Sequence, residues 1–332
     1  MPHFKRDLAA FALASAIPWA AMASSQESVY PDRPVSLVIG FPPGGSADAL
    51  ARLLAGPLGE ALGQKVIVQY KPGAGGNVGA EYVVRAAPDG YTLFLGGRPN
   101  AIHKTMYGTM KYDFARDLVP VGLVARLPFV MVSGRHAPIA SMQDVVRLAR
   151  SYPGALTCAS PGTGTTSHLL CELLQQEIGL NMQHVPYTGG IHALKDVMGG
   201  RIDMYISPVA GALPHIQADR LRPVVVMSPL RLATLPRVPT LTEAGVPQLS
   251  GLELGDWSGL VAPSGTPSHV VAKLNQSINA VLADPALHEA FARQGFAAPM
   301  QPNTPASFKA FIAEETERWN SVLRMRNIKP LH

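Results

Sequence analysis

The chain has 332 residues, 47% hydrophobic and 15% charged, enough for two domains with separate cores and too apolar for a disordered chain. The formal net charge is +5, but no Lys/Arg run exceeds two residues. That pattern argues against nucleic acid as a partner and remains compatible with small acidic ligands.

Lys5 and Arg6 precede an apolar stretch over 8–22 that is too short to span a bilayer. Ala21-Met-Ala23 then gives a small-x-small cleavage site, so residues 1–23 are expected to be a signal peptide and the mature protein to be exported and soluble. Strands are expected over 35–40, 65–70 and 91–96, with helices over 47–62 and 76–87 between them. This alternation points to an α/β fold with a parallel sheet. Two apolar stretches follow over 118–133, punctuated by Pro120 and Pro128. A helix over 141–151 starts at Ser141, a credible cap with Asp144 three residues on.

A second set of α/β units comes next: strand 156–160, helix 166–178, strand 183–186, helix 192–198, and strands 201–207 and 222–228. A strand over 257–262 and helices over 267–283, 285–294 and 304–327 close the chain. Cys158 and Cys171 stand alone, without a CxxC, so they form no zinc pattern. A bridge between them would be permitted in an oxidising compartment; two separate buried thiols are the simpler reading.

Two strand-loop-helix junctions stand out. Phe41–Asp48 (FPPGGSAD) opens one helix, and Ser160–His168 (SPGTGTTSH) opens another far along the chain. Each offers first-turn N–H groups beside small hydroxyls, and the helix dipole there favours negative charge. Two such loops facing each other across a cleft would clamp a carboxylate. On local grounds alone, tight turns and simple helix caps explain the same residues equally well. Neither GxxxxGK[ST] nor GxGxxG is present, which argues against a nucleotide.

Ser167 beside His168 raises an exported hydrolase as the rival, although no GxSxG elbow occurs. The histidines are dispersed without HxH, HExxH or HxxxH spacing, so neither a metal nor a cofactor is expected. Trp257 fits either a core or a cleft wall. Arg98, just past a strand end, fits either a solvated loop or an acidic ligand.

These motifs resemble the receptors of tripartite tricarboxylate transporters, the Bug receptor family. The resemblance runs through Tyr30-Pro-Asp-Arg-Pro34, the 41–48 loop, Lys71-Pro-Gly-Ala-Gly-Gly-Asn-Val-Gly79 and Ala87-Pro-Asp-Gly-Tyr-Thr-Leu93. It continues through Gly162-Thr-Gly-Thr-Thr-Ser-His-Leu169, His184-Val-Pro-Tyr187, Gly199-Gly-Arg-Ile-Asp203, Leu235-Pro-Arg-Val-Pro-Thr240 and Gly265-Thr-Pro267. It implies a type 2 periplasmic-binding-protein fold. Lobe one would take 30–126 and 258–332, and lobe two 127–257, with crossings near 127–130 and 254–259.

It further implies a periplasmic receptor, not an enzyme, that closes on a small carboxylate or related amide. Such a receptor serves the membrane subunits of a transporter or the exported domain of a sensor; a monomer is expected. Contact residues carried over are Phe41, Gly45, Ser46, Ala47 and Asp48 in the first loop. In the second they are Ser160, Thr163, Gly164, Thr165, Thr166 and Ser167, with His168 adjoining. The chain departs from the family pattern at Gly97-Arg98-Pro99, after Tyr187, and at Ser207-Pro208, positions expected on the cleft walls. Arg98 there would favour a second carboxylate.

Overall fold

The computed structural model describes residues 30–107, 110–246, 254–299 and 303–325. The leader expected over 1–23 lies outside them. The strands among the described residues are β1 Val35–Ile39, β2 Val66–Tyr70, β3 Thr92–Gly97, β4 Leu118–Leu127, β5 Phe129–Gly134, β6 Thr157–Ser160, β7 Gln183–Pro186, β8 Met204–Pro208, β9 Leu221–Val226 and β10 Asp256–Pro263. They form two five-stranded sheets, ordered β2-β1-β3-β10-β4 and β7-β6-β8-β5-β9.

Each sheet is mixed rather than purely parallel. β1 runs parallel to β2 and β3, and β6 parallel to β7 and β8. β10 is antiparallel to β3 and β4, and β5 antiparallel to β8 and β9. The alternating pattern missed this because β5 and β10 each enter their sheet from the other half of the chain. Only Pro128 separates β4, at the edge of the first sheet, from β5 in the second, so the chain crosses directly from one sheet to the other. The second crossing enters at β10, and its first residue, Asp256, pairs with Leu127, the last of β4. Both crossings therefore meet at one point of one ladder.

Burial explains the elements that position the site. β1 is apolar on both faces, with Val35, Leu37, Val38 and Ile39 fully buried, as a central strand under helices must be. Helix Ser46–Leu62 buries a stripe of Leu50, Leu54, Leu58 and Leu62. Helix Met142–Ser151 starts as expected: the Asp144 N–H donates to Ser141 Oγ at 3.2 Å, and Asp144 Oδ2 accepts the Ser141 N–H at 3.1 Å. Cys158 and Cys171 are buried free thiols.

Three expectations on local structure are corrected. Pro120 does not interrupt its strand; it lies within β4, an edge strand that tolerates a missing donor, next to a register shift against β10. The helix expected over 76–87 starts at Asn77, because Gly75 and Gly76 take left-handed φ of 61° and 96° in a preceding turn. A helix at Val209–Gln217 went unread because Gly211 and Pro214 resemble loop residues. Burial of Val209, Ala212 and Leu213 against the second sheet outweighs that local propensity.

Candidate functional site

The first loop leaves β1 through Phe41 and two prolines and turns at Gly44, whose φ of 89° is left-handed. Gly45 caps helix Ser46–Leu62. The amides of that first turn have no acceptor within the helix and face the loop end. Asp48 does not join them in the cleft. Its Oδ2 accepts the Gly44 N–H at 2.8 Å, and its Oδ1 accepts from Arg52 Nε at 2.8 Å and from the Tyr70 hydroxyl at 2.7 Å. Burial opposes its ionisation, but these three donors outweigh burial and hold the carboxyl below its ordinary range. Asp48 ties the loop in place and does not line the cavity.

The second loop is built the same way. The Ser160 hydroxyl donates to the Gly162 carbonyl at 2.9 Å and lies 2.7 Å from His184 Nε2. Thr165 Oγ1 donates to the Gly162 carbonyl at 2.6 Å, and the Gly164 N–H donates to His168 Nδ1 at 3.1 Å. His168 stacks on His184 with ring centroids 4.0 Å apart. Burial, with His184 adding its charge, lowers the His168 pKa to about 3; burial lowers that of His184 to about 4. Both rings are therefore neutral supports beneath the loop.

The two loops converge on one cavity of about 90 Å³ between the lobes. Phe41, Gly45, Ser46 and Ala47 line it from one side; Thr165, Thr166 and Ser167 line it from the other. Gly97 also lines it, as the strand end suggested. The remaining carried-over residues sit elsewhere. Ser160, Thr163, Gly164 and His168 build the second loop. Tyr187 donates its hydroxyl to Asp196 Oδ2 at 2.9 Å, and Ser207 donates to the Pro208 carbonyl at 2.9 Å.

Arg98 is the clearest correction. Its side chain is neither in the cleft nor in solvent. It is 1% exposed, its Nη2 lies 3.0 Å from Glu315 Oε2, and its guanidinium stacks 4.3 Å above the Trp319 ring. The acidic partner already present in helix Pro305–Met325 draws it inward. An acidic ligand therefore gains nothing from its charge.

Several lining residues carried no motif. Tyr205 closes the cavity floor, its hydroxyl beside those of Ser167 and Ser207, and burial pushes its pKa up to about 12. Asn100, Leu127 and Phe129 complete the walls, with Asp256, Trp257 and Ser258 from the second crossing. Trp257 is both core and wall: it is 2% exposed and meets Phe114, Phe308 and Phe311 edge-on. The sequence signal for Leu127, Phe129, Asp256, Trp257 and Ser258 was their position at the crossings; Tyr205 and Asn100 carried none.

The lobes are closed over the cavity. Thr166 Oγ1 donates to Asp256 Oδ2 at 2.6 Å across the gap, and the Tyr107 hydroxyl donates to the Thr163 carbonyl. Ser167 and His168 do not form a catalytic pair, because Nδ1 of the ring is taken by Gly164 and Nε2 faces Glu172 at 3.7 Å. Ser160 has a histidine partner but is fully buried, out of reach of a substrate.

Two α/β lobes joined by paired crossings and closed over a cavity between helix starts define a two-lobed periplasmic-binding-protein architecture. Residues 50–328 match the model of the tripartite tricarboxylate transporter family receptor, TctC. The chain belongs to that family of solute-binding receptors. Protein BugT of Bordetella pertussis is 36% identical, covering 90% of this chain and 91% of BugT. Among solved structures, R. palustris Rpa4515 with adipate is 33% identical with a TM-score of 0.86, covering 91% of this chain and 100% of that one. The periplasmic binding protein BugD is 30% identical with a TM-score of 0.86, covering 91% and 100%. Among the described residues, no helix is long and apolar enough to cross a membrane.

Proposed function

We propose that this chain captures a small carboxylate between its lobes in the periplasm and presents it, as a monomer, to the membrane subunits of a tripartite transporter. Residues 1–23 serve as its export signal, lobe one spans 30–126 and 258–332, and lobe two spans 127–257. The observation that supports this reading is the convergence of two helix N-termini, with Ser46, Thr166 and Ser167, on one cavity. First-turn amides and hydroxyls solvate a carboxylate without a cationic side chain. A volume of about 90 Å³ suits a short acid rather than a sugar or nucleotide. Adipate in Rpa4515 is consistent with a carboxylate class.

The test is a thermal-shift and calorimetric screen of short acids against mature protein stripped of retained ligand by unfolding and refolding. A ligand that binds only the folded state raises Tm by mass action. Gly45→Pro, which removes an amide donor, is expected to weaken the acid that binds by at least about tenfold, the worth of a charge-assisted hydrogen bond. Gly45→Ala should bind normally, since nothing lies within 4 Å of the added carbon. Equal affinity for both variants would remove the first loop from the site.

Closure gives a second test. A Cβ on Gly189 would lie 2.5 Å from Cγ of Pro42 in the opposite lobe. Gly189 has an extended φ of 173°, which any residue adopts, so the clash exists only when the lobes meet. Gly189→Ala is expected to cost binding roughly 1–3 kcal/mol, about 5- to 150-fold in Kd, as overpacking does. Ligand-free Tm should stay near the wild-type value. Unchanged affinity would mean that the bound form is more open than this one.

A further inference from the structure

We propose that Asp256 sets the ligand class, so that the cleft favours a short acid with one carboxylate and a hydrogen-bond donor at its far end over a dicarboxylate. The proposal rests on the carboxylate-capture reading above. Among the described residues lining the cavity, Asp256 carries the one carboxyl group, and there is no Lys, Arg or His. Arg98, the nearest cation in sequence terms, gives its guanidinium to Glu315 and only its backbone N–H to this site.

The Asp256 carboxylate is held rigidly. Its Oδ1 accepts the Arg98 N–H at 3.2 Å and the Trp257 N–H at 2.7 Å; its Oδ2 accepts the Thr166 hydroxyl at 2.6 Å. Two oxygens offer about four lone-pair sites, so one acceptor site is left for a ligand. Each helix N-terminus brings roughly half a positive charge. Together they offset one negative charge, and Asp256 already supplies it. A ligand with one carboxylate adds a single charge in excess, and an ammonium at its other end cancels that. A dicarboxylate adds two charges beside a carboxylate that cannot turn away. An amide, hydroxyl or ammonium instead donates to the acceptor that Asp256 has free.

The experiment compares succinate, succinamate and 4-aminobutyrate, matched in length, by calorimetry on ligand-stripped wild type and Asp256→Asn. The asparagine keeps an oxygen for the two amides, and its NH₂ donates to Thr166 Oγ, so folding and closure are retained. Wild type is expected to bind succinamate or 4-aminobutyrate at least about tenfold more tightly than succinate. In Asp256→Asn, succinate should gain about tenfold relative to 4-aminobutyrate. Thr166→Val controls for the lost bridge: it should weaken the probes alike and leave their order unchanged. An unchanged ratio of succinate to 4-aminobutyrate affinity between wild type and Asp256→Asn, or a wild-type preference for succinate, overturns the proposal while leaving carboxylate capture intact. No binding of any probe to either folded protein overturns carboxylate capture itself, and this inference with it.

Discussion

Arg98→Met should lower folding stability by about 3–5 kcal/mol in chemical denaturation, while ligand affinity changes little. The cost is that of breaking a buried ion pair from one side. Arg98 and Glu315 side chains are 2% and 7% exposed, and the guanidinium also loses its stacking on Trp319. Arg318 remains as a second partner for Glu315, which places the loss toward the lower end of that range. The double variant Arg98→Met/Glu315→Met should recover most of it, because replacing both members of a buried pair with apolar groups is often neutral. A single variant that loses affinity but not stability would return Arg98 to the cleft.

Stability is expected to fall by about 3 kcal/mol between pH 8 and pH 5 because of His168 and His184. In the unfolded chain both titrate near 6.5; in the fold they stay neutral down to about 3 and about 4. Between those limits the unfolded state binds more protons, so the stabilisation is complete above pH 6.5 and is lost as pH falls. At pH 5 a fully buried histidine of this kind costs roughly 2 kcal/mol, and the more exposed His184 contributes less because water screens its charge. Glu172, 3.7 Å from His168 Nε2, is itself shifted upward by burial and loses charge in acid, so it gives little relief. Denaturation at pH 8, 6.5 and 5 reads the effect. His168→Gln/His184→Gln should flatten the curve, and a wild-type curve already flat over that window would refute the assignment.

The sequence revealed both loops because helix-start chemistry is local. Ser46, Thr166 and Ser167 line the cavity as their position at a helix N-terminus implied. It misplaced Asp48, Ser160 and His168 for the same reason: a cap that builds a loop and a cap that faces a ligand use identical residue types. Arg98 was misread because its partner, Glu315, is 217 positions away. Asp256 and Tyr205 had no motif at all. Their role comes from pairing across the crossings and from sheet order, which apolar periodicity does not encode. The mixed sheets were missed for that reason too.

Leu127 and Asp256 are opposite one another where the two crossings meet. That geometry acts as leverage. With both connections at a single backbone pair, one lobe can pivot on the other with little else to resist it, and the ladder itself need not break. Groups near the pivot then travel short distances while the outer rims of the lobes sweep long ones. Asp256 sits on the axis, where it lines the cavity and bridges to Thr166 at the same time. A change of a fraction of an ångström in how a short acid seats there is amplified at the rims, the surfaces a membrane partner would touch.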